Sequence, residues 1–131
     1  MERLVANFKG ELRVEIHHNP LVMHRNAYDA AAAARAAQRQ GKFWEYHEAL
    51  LESRAFDRGT LVGLAARLGL DRDRFERDFD DPKLRERVTA EAKEALDAKA
   101  LGTPGFLING HVEVGWASLP WLEQVVRTHS R

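Results

Sequence analysis

Asn109-Gly110 stands between two short runs rich in apolar residues, and this dipeptide narrows what the chain can fold into more than any other feature. Both central positions of a two-residue hairpin turn need positive φ, which Asn and Gly tolerate best. Phe106-Leu107-Ile108 is therefore read as one short strand, with Val112 and Val114 on the strand that returns. One other segment has a period of two. In Glu11-Leu12-Arg13-Val14-Glu15-Ile16-His17, Leu12, Val14 and Ile16 point one way. That alternation predicts a strand with one buried face, ended by Asn19-Pro20.

The rest of the chain has the period of helices. Residues 2–9 put Leu4, Val5 and Phe8 on one face, with Gly10 where a helix-ending glycine belongs. Residues 25–40 form an Ala-rich helix stopped by Gly41; close approach of backbones and plain helix propensity account for it equally well. A helix over 43–53 carries Phe43, Trp44, His47, Leu50 and Leu51 as its apolar stripe. Thr60 is read as the cap of a helix to about Leu68, and Asp71 as the cap of another to about Phe79. Asp81-Pro82 supplies a cap followed by proline at the first helical position. That helix runs through Leu84, Val88, Ala92, Ala95 and Leu96 to Leu101, with Gly102 as its stop. Ser118 caps a last helix carrying Trp121, Leu122, Val125 and Val126. The order is helix, strand, five helices, hairpin, helix.

Composition excludes several function classes. The 131 residues suit a single domain spanning 1–131, and 44% hydrophobic with 31% charged residues describe a globular chain. Lys plus Arg number 20 and Asp plus Glu number 20, so the basic excess of a nucleic-acid or anionic-membrane partner is missing. No apolar run approaches the roughly 18 residues of a membrane span. The first residues do not have the form of a signal peptide, which leaves the cytoplasm as the default expectation. There are no cysteines. Disulfides, thiolate nucleophiles, Cys-ligated zinc and iron–sulfur clusters within this chain are thereby excluded.

Other chemistry-bearing residues have plain explanations. His17, His18 and His24 lie close in sequence, but adjacent strand residues point to opposite faces, and no histidine pair has helical metal-ligand spacing. No metal and no cofactor is expected. His47 reads as a half-buried helix residue beside Trp44 rather than a catalytic base. Phe43, Trp44, Tyr46, Trp116 and Trp121 read as core and lid packing, and Glu45, Glu48 and Glu52 as a solvated helix flank. Phosphate-binding glycine loops and nucleophile elbows are absent from the sequence.

Several segments taken together carry a resemblance. Pro20-Leu21 with His24 opens one helix, and Gly41-Lys42-Phe43-Trp44-Glu45-Tyr46-His47-Glu48-Ala49-Leu50 opens the next. Leu68-Gly69-Leu70-Asp71 with Phe75 lies between two later helices. Gly102-Thr103-Pro104-Gly105-Phe106-Leu107-Ile108-Asn109-Gly110 leads into the hairpin, which Gly115 follows. In this order they resemble the DsbA-like branch of the thioredoxin-fold thiol–disulfide oxidoreductases, over essentially the whole chain. The resemblance implies an α/β, thioredoxin-like fold with a helical insertion over about 25–101. It also implies a cis peptide at Thr103-Pro104, with these two residues positioning an extended substrate.

The departure from that family concerns its Cys-x-x-Cys. By the resemblance, Met1 falls within the helix that would follow it, so the first strand and both cysteines lie outside this chain. No catalytic residue can be carried over. Redox inactivity of this cysteine-less chain is the expectation, since exchange needs a thiolate. The resemblance makes the missing strand the central one, between 11–17 and the Phe106 strand. Three solutions stand open: a longer native protein, a second copy that supplies a strand, or a shift of 11–17 onto Phe106-Leu107-Ile108. A homodimer is the expected partner arrangement, with an extended peptide or protein as substrate. A non-catalytic binding or self-assembling module is the alternative, and a kappa-type glutathione transferase or isomerase relative a further one.

Overall fold

This computed structural model describes residues 1–130. In chain order the elements are α1 (Glu2–Asn7), α2 (Ala27–Gln38), α3 (Phe43–Glu52), α4 (Arg58–Arg67), α5 (Arg72–Asp80), α6 (Pro82–Asp97), β1 (Gly105–Ile108), β2 (His111–Val114) and α7 (Leu119–His129). Two compact units result, one of residues 18–92 and one of residues 1–17 with the chain from Lys93 onward.

The unit of residues 18–92 is built on α2. Ala31 to Ala34, Ala36 and Ala37 are all buried, on every side of the helix. A helix apolar all round must be covered all round. Methyl side chains let α3, α4 and α5 each reach it. The alanines thus serve close approach of backbones, not propensity alone. Tyr46, Leu61, Phe75, Phe79, Leu84 and Val88 complete the core. Tyr46 Oη, fully buried, donates to the Leu61 carbonyl at 2.8 Å, and burial pushes its phenol up.

Local signals in this unit are mostly realised, with two corrections. The cap of α4 is Asp57, not Thr60. Thr60 donates its amide to Asp57 Oδ1 at 3.1 Å and its hydroxyl to Oδ2 at 2.7 Å. Asp71 accepts from the Arg74 amide at 2.8 Å, and Asp81 from the Lys83 amide at 3.0 Å. On α3 the buried residue is Tyr46, with Phe43, Ala49 and Leu50 against the core. Trp44 and Leu51, placed in the expected stripe, stay 45% and 74% exposed. The helix is rotated so that the Tyr46 ring, whose hydroxyl finds the Leu61 carbonyl, fills the interior.

In the other unit α1 contacts α7. Leu4 is buried, the Arg127 guanidinium lies 4.9 Å over the Phe8 ring, and Asn7 donates to Glu123. β1 and β2 form the expected antiparallel hairpin, with Ile108 opposite His111 and Gly105 opposite Val114. Asn109 at φ 47° and Gly110 at φ 91° make the turn. The Phe106 ring packs edge-on to Trp121 of α7 at 6.4 Å, and Ser118 caps that helix.

Three expectations fail here. Residues 11–17 do not form a strand. Leu12, Val14 and Ile16 are half-buried and Arg13, Glu15 and His17 exposed, so the side chains alternate as expected. A ladder also needs a partner, and β1 pairs with β2 alone. The shift of this segment onto Phe106-Leu107-Ile108 is therefore not formed. Secondly, α6 ends at Asp97, and Lys99 at φ 61° takes the left-handed position expected of Gly102. The Ala100 amide donates back to Ala95 at 2.9 Å and closes the helix there. Thirdly, Trp116 is 94% exposed and covers nothing.

Candidate functional site

The segment Gly102-Thr103-Pro104 delivers the chain into β1. Thr103, Pro104 and Gly105 are exposed, and the Thr103-Pro104 peptide bond is cis. The Pro104 carbonyl accepts from the Gly115 amide at 2.9 Å, which extends the hairpin ladder by one rung. A two-residue turn makes Ile108 and His111 the closing hydrogen-bonded pair. Alternation then gives Phe106 with Glu113 and Pro104 with Gly115 as the next bonded pairs. The backbone N–H and C=O groups of Gly105 and Leu107 consequently face away from β2. No third strand exists among the described residues, so this edge is open.

Gly105 is required by its surroundings. A Cβ there would meet the Gly102 carbonyl oxygen at 3.1 Å and the Ala100 Cβ at 3.3 Å. The loop entering the strand therefore lies directly over Gly105. On the same face of the hairpin, Leu107 is 65% and Val114 51% exposed. The arrangement offers backbone donors and acceptors beside apolar surface. It contains no nucleophile and no titratable group apart from its neighbours on β2. It suits recognition of an extended backbone rather than bond chemistry.

The histidines are dispersed. His17 faces two carboxylates, Nδ1 at 3.3 Å from Glu94 and Nε2 at 3.6 Å from Glu15, on the surface. His18 donates its amide to Glu91 at 2.8 Å. His24 is exposed. His47 stacks on Phe43 at 5.8 Å with Trp44 edge-on at 5.9 Å, and burial lowers its pKa from the ordinary 6.5. No three His, Asp or Glu side chains gather as a metal site among the described residues.

One polar centre escaped sequence reasoning. Arg35 on α2 and Glu91 on α6 are buried together, Nη2 to carboxylate at 2.8 Å. Arg35 also donates to Gln38 at 2.8 Å and lies 5.5 Å over the Phe43 ring. Glu91 accepts further from the His18 amide and from Arg87 Nε at 3.1 Å. Burial pushes the Glu91 carboxyl up; the Arg35 hydrogen bond, the His18 amide and Arg87 outweigh it and hold it below its ordinary value. A signal existed: one arginine inside an alanine run, and a glutamate on the face that Leu84 and Val88 bury. The Arg35–Glu91 pair ties α2 to α6 inside the helical unit.

The comparisons with known proteins agree with this geometry. The family model of the DSBA-like thioredoxin domain matches residues 1–127. Among curated proteins, the Na(+)/H(+) antiporter NhaA of Herminiimonas arsenicoxydans is 38% identical over 108 residues, which is 82% of this chain and 17% of the antiporter. The antiporter NhaA 1 of Salinispora arenicola is 37% identical over 128 residues, 96% of this chain and 20% of that protein. The chain thus spans a fifth or less of the length of these two relatives. Among solved structures, a thioredoxin-like oxidoreductase from Silicibacter pomeroyi superposes with a TM-score of 0.86 at 24% identity, covering 99% of this chain and 75% of that one. Fold and family model point the same way: the chain belongs to the DSBA-like thioredoxin domain family.

Proposed function

We propose that this chain is a DsbA-like domain that holds an extended peptide or partner segment along Thr103, Pro104 and the free edge of β1, and that it has no thiol–disulfide turnover of its own. The observation that carries the reading is the outward-facing backbone of Gly105 and Leu107, directly after the exposed Thr103-Pro104 pair. Backbone pairing supplies affinity in this mode of recognition, and side chains on alternate positions supply preference. Leu107 beside Val114 favours apolar residues in the segment received.

Thiol exchange requires a thiolate to attack sulfur, and the chain has no cysteine. Its serines are no substitute, because an alkoxide forms no mixed disulfide. Ser118 caps α7 and Ser53 bonds the Ala55 carbonyl at 2.7 Å. The antiporter relatives owe four-fifths or more of their length to sequence unmatched here, and no helix among the described residues is long and apolar enough to cross a membrane. Ion exchange is not proposed for this chain.

The test has two arms. Insulin reduction in the presence of dithiothreitol is expected to run at the rate of the reductant alone. Titration of the 15N-labelled chain with an unstructured apolar peptide is expected to shift the amides of Gly105 and Leu107 first. Turnover above the reductant rate, or shifts confined to the helical unit, would contradict the reading.

A further inference from the structure

We propose that Asn109 is a site of spontaneous chemical modification, converted in the folded chain to aspartate and isoaspartate, and that this conversion releases the hairpin tip from α7. The step is an intramolecular attack. The Gly110 amide nitrogen bonds to the side-chain carbonyl carbon of Asn109 and loses its proton, and the carboxamide nitrogen leaves as ammonia. Water then adds to the cyclic imide. Opening at the side-chain carbonyl leaves aspartate. Opening at the main-chain carbonyl leaves isoaspartate, with Gly110 attached through the side-chain carbon.

The turn provides what the attack needs. Asn7, Asn19, Asn26 and Asn109 precede Phe8, Pro20, Ala27 and Gly110, so Asn109 alone is followed by a residue without a side chain to crowd the nitrogen. Asn109 and Gly110 are exposed, and nothing lies within 4 Å of the position a Gly110 Cβ would take. The nitrogen is also free of the ladder. Ile108 and His111 close the two-residue turn and exchange both bonds there, so the Gly110 N–H occupies no rung. The carboxamide is held by Nδ2, which donates to the His129 carbonyl at 2.7 Å at the surface. A single exposed hydrogen bond contributes little net stability, so it opens often and lets the carboxamide turn onto the Gly110 nitrogen.

That same bond gives the reaction its structural consequence. Nδ2 is the atom that leaves as ammonia. The carboxylate oxygen in its place has no proton to donate and faces the His129 carbonyl, acceptor against acceptor. It also brings negative charge to the C-terminal end of α7, where the helix dipole is itself negative. The tip rests on α7 through the His111 ring as well, stacked on His129 at 3.7 Å. Isoaspartate adds a carbon to the main chain of a two-residue turn, so Ile108 and His111 lose their register. Among the described residues β1 pairs with β2 alone, so a ladder loosened at its tip has no third strand to hold it.

Incubation of the full chain for days in mildly alkaline buffer tests this, with circular dichroism following the fold throughout. Intact mass is expected to rise by the difference between an amide NH2 and a hydroxyl. The gain should lie on the tryptic peptide Ala100–Arg127, whose asparagine is Asn109. Part of that peptide should accept a methyl group from S-adenosylmethionine in the presence of an isoaspartyl methyltransferase. Asn109→Gln, which must close a larger ring, is expected to convert roughly tenfold more slowly or less. In 15N spectra the aged chain should show moved amides at His111, His129 and Ser130, with residues 18–92 unmoved. Asn109→Asp should move the same amides without ageing. An unchanged mass, or a gain on a peptide carrying Asn7, Asn19 or Asn26 instead, overturns the site. Conversion at Asn109 that leaves the His111 and His129 amides in place overturns the release.

Discussion

Arg35 and Glu91 stand 56 residues apart in the chain, yet their side chains meet at 2.8 Å with only 7% and 5% of their surfaces exposed. Two charges placed so deeply cost desolvation that their mutual attraction only partly offsets. What makes the pair tolerable is saturation. Glu91 is met by Arg35, Arg87 and the His18 amide, and Arg35 by Glu91, Gln38 and the face of Phe43.

Removing one member strands the other. Arg35→Ala or Glu91→Ala is expected to cost about 3–5 kcal/mol in urea unfolding of the full chain. Arg35→Met combined with Glu91→Leu should cost much less than the two single changes added together, because neither charge is left behind. Additive losses would show that the two groups act independently.

Acid should expose the same pair. The folded Glu91 carboxyl lies below its unfolded value, so its contribution is fully present above the unfolded pKa of about 4.3. It is lost as pH falls through the lower folded value. Glu91→Gln should therefore flatten the acid side of a plot of unfolding midpoint against pH, while lowering the plateau near neutrality.

His47 gives a second, milder slope with the same direction. Burial between Phe43 and Trp44 lowers its folded pKa, so the unfolded chain binds the proton first. Stability is complete above about 6.5 and declines as pH falls from there through the folded value. An NMR titration of the His47 ring should give a midpoint below 6.5, and His47→Gln should remove this part of the slope. A midpoint at or above 6.5 would contradict the assignment.

Lys99 ends α6 in a left-handed conformation that side chains disfavour. Lys99→Gly is expected to stabilise the chain by about 0.5–1 kcal/mol in thermal or urea unfolding. Gly110→Ala, at φ 91° in the hairpin turn, should act in the opposite direction.

Much of the architecture was legible because it depends on neighbours in sequence. Asn109-Gly110 announced the hairpin, and Asp71, Asp81-Pro82 and Ser118 announced helix starts, since turn and cap chemistry reaches only a few residues. Thr103 and Pro104 came forward as the candidate site through the family resemblance, not through local turn chemistry. The errors had another origin. Thr60 and Asp57 both lie within one turn of the start of α4, and only geometry shows which side chain accepts the amide. Gly102 looked like the stop of α6, but the helix closed three residues earlier on Lys99.

Residues 11–17 show where the line falls. Their alternation already fixes which side chains turn inward, because the period of an extended chain is two whatever lies beside it. Whether such a segment is a strand depends on a second extended backbone laddered along it, and the sheet among the described residues consists of β1 and β2. The same holds for the open edge of β1, for the face of α3 that holds Tyr46, and for Arg35 beside Glu91. Each depends on groups remote in the chain meeting in space, which local pattern does not encode. The lack of cysteine needs no folding at all: it removes thiol chemistry from this chain in any conformation.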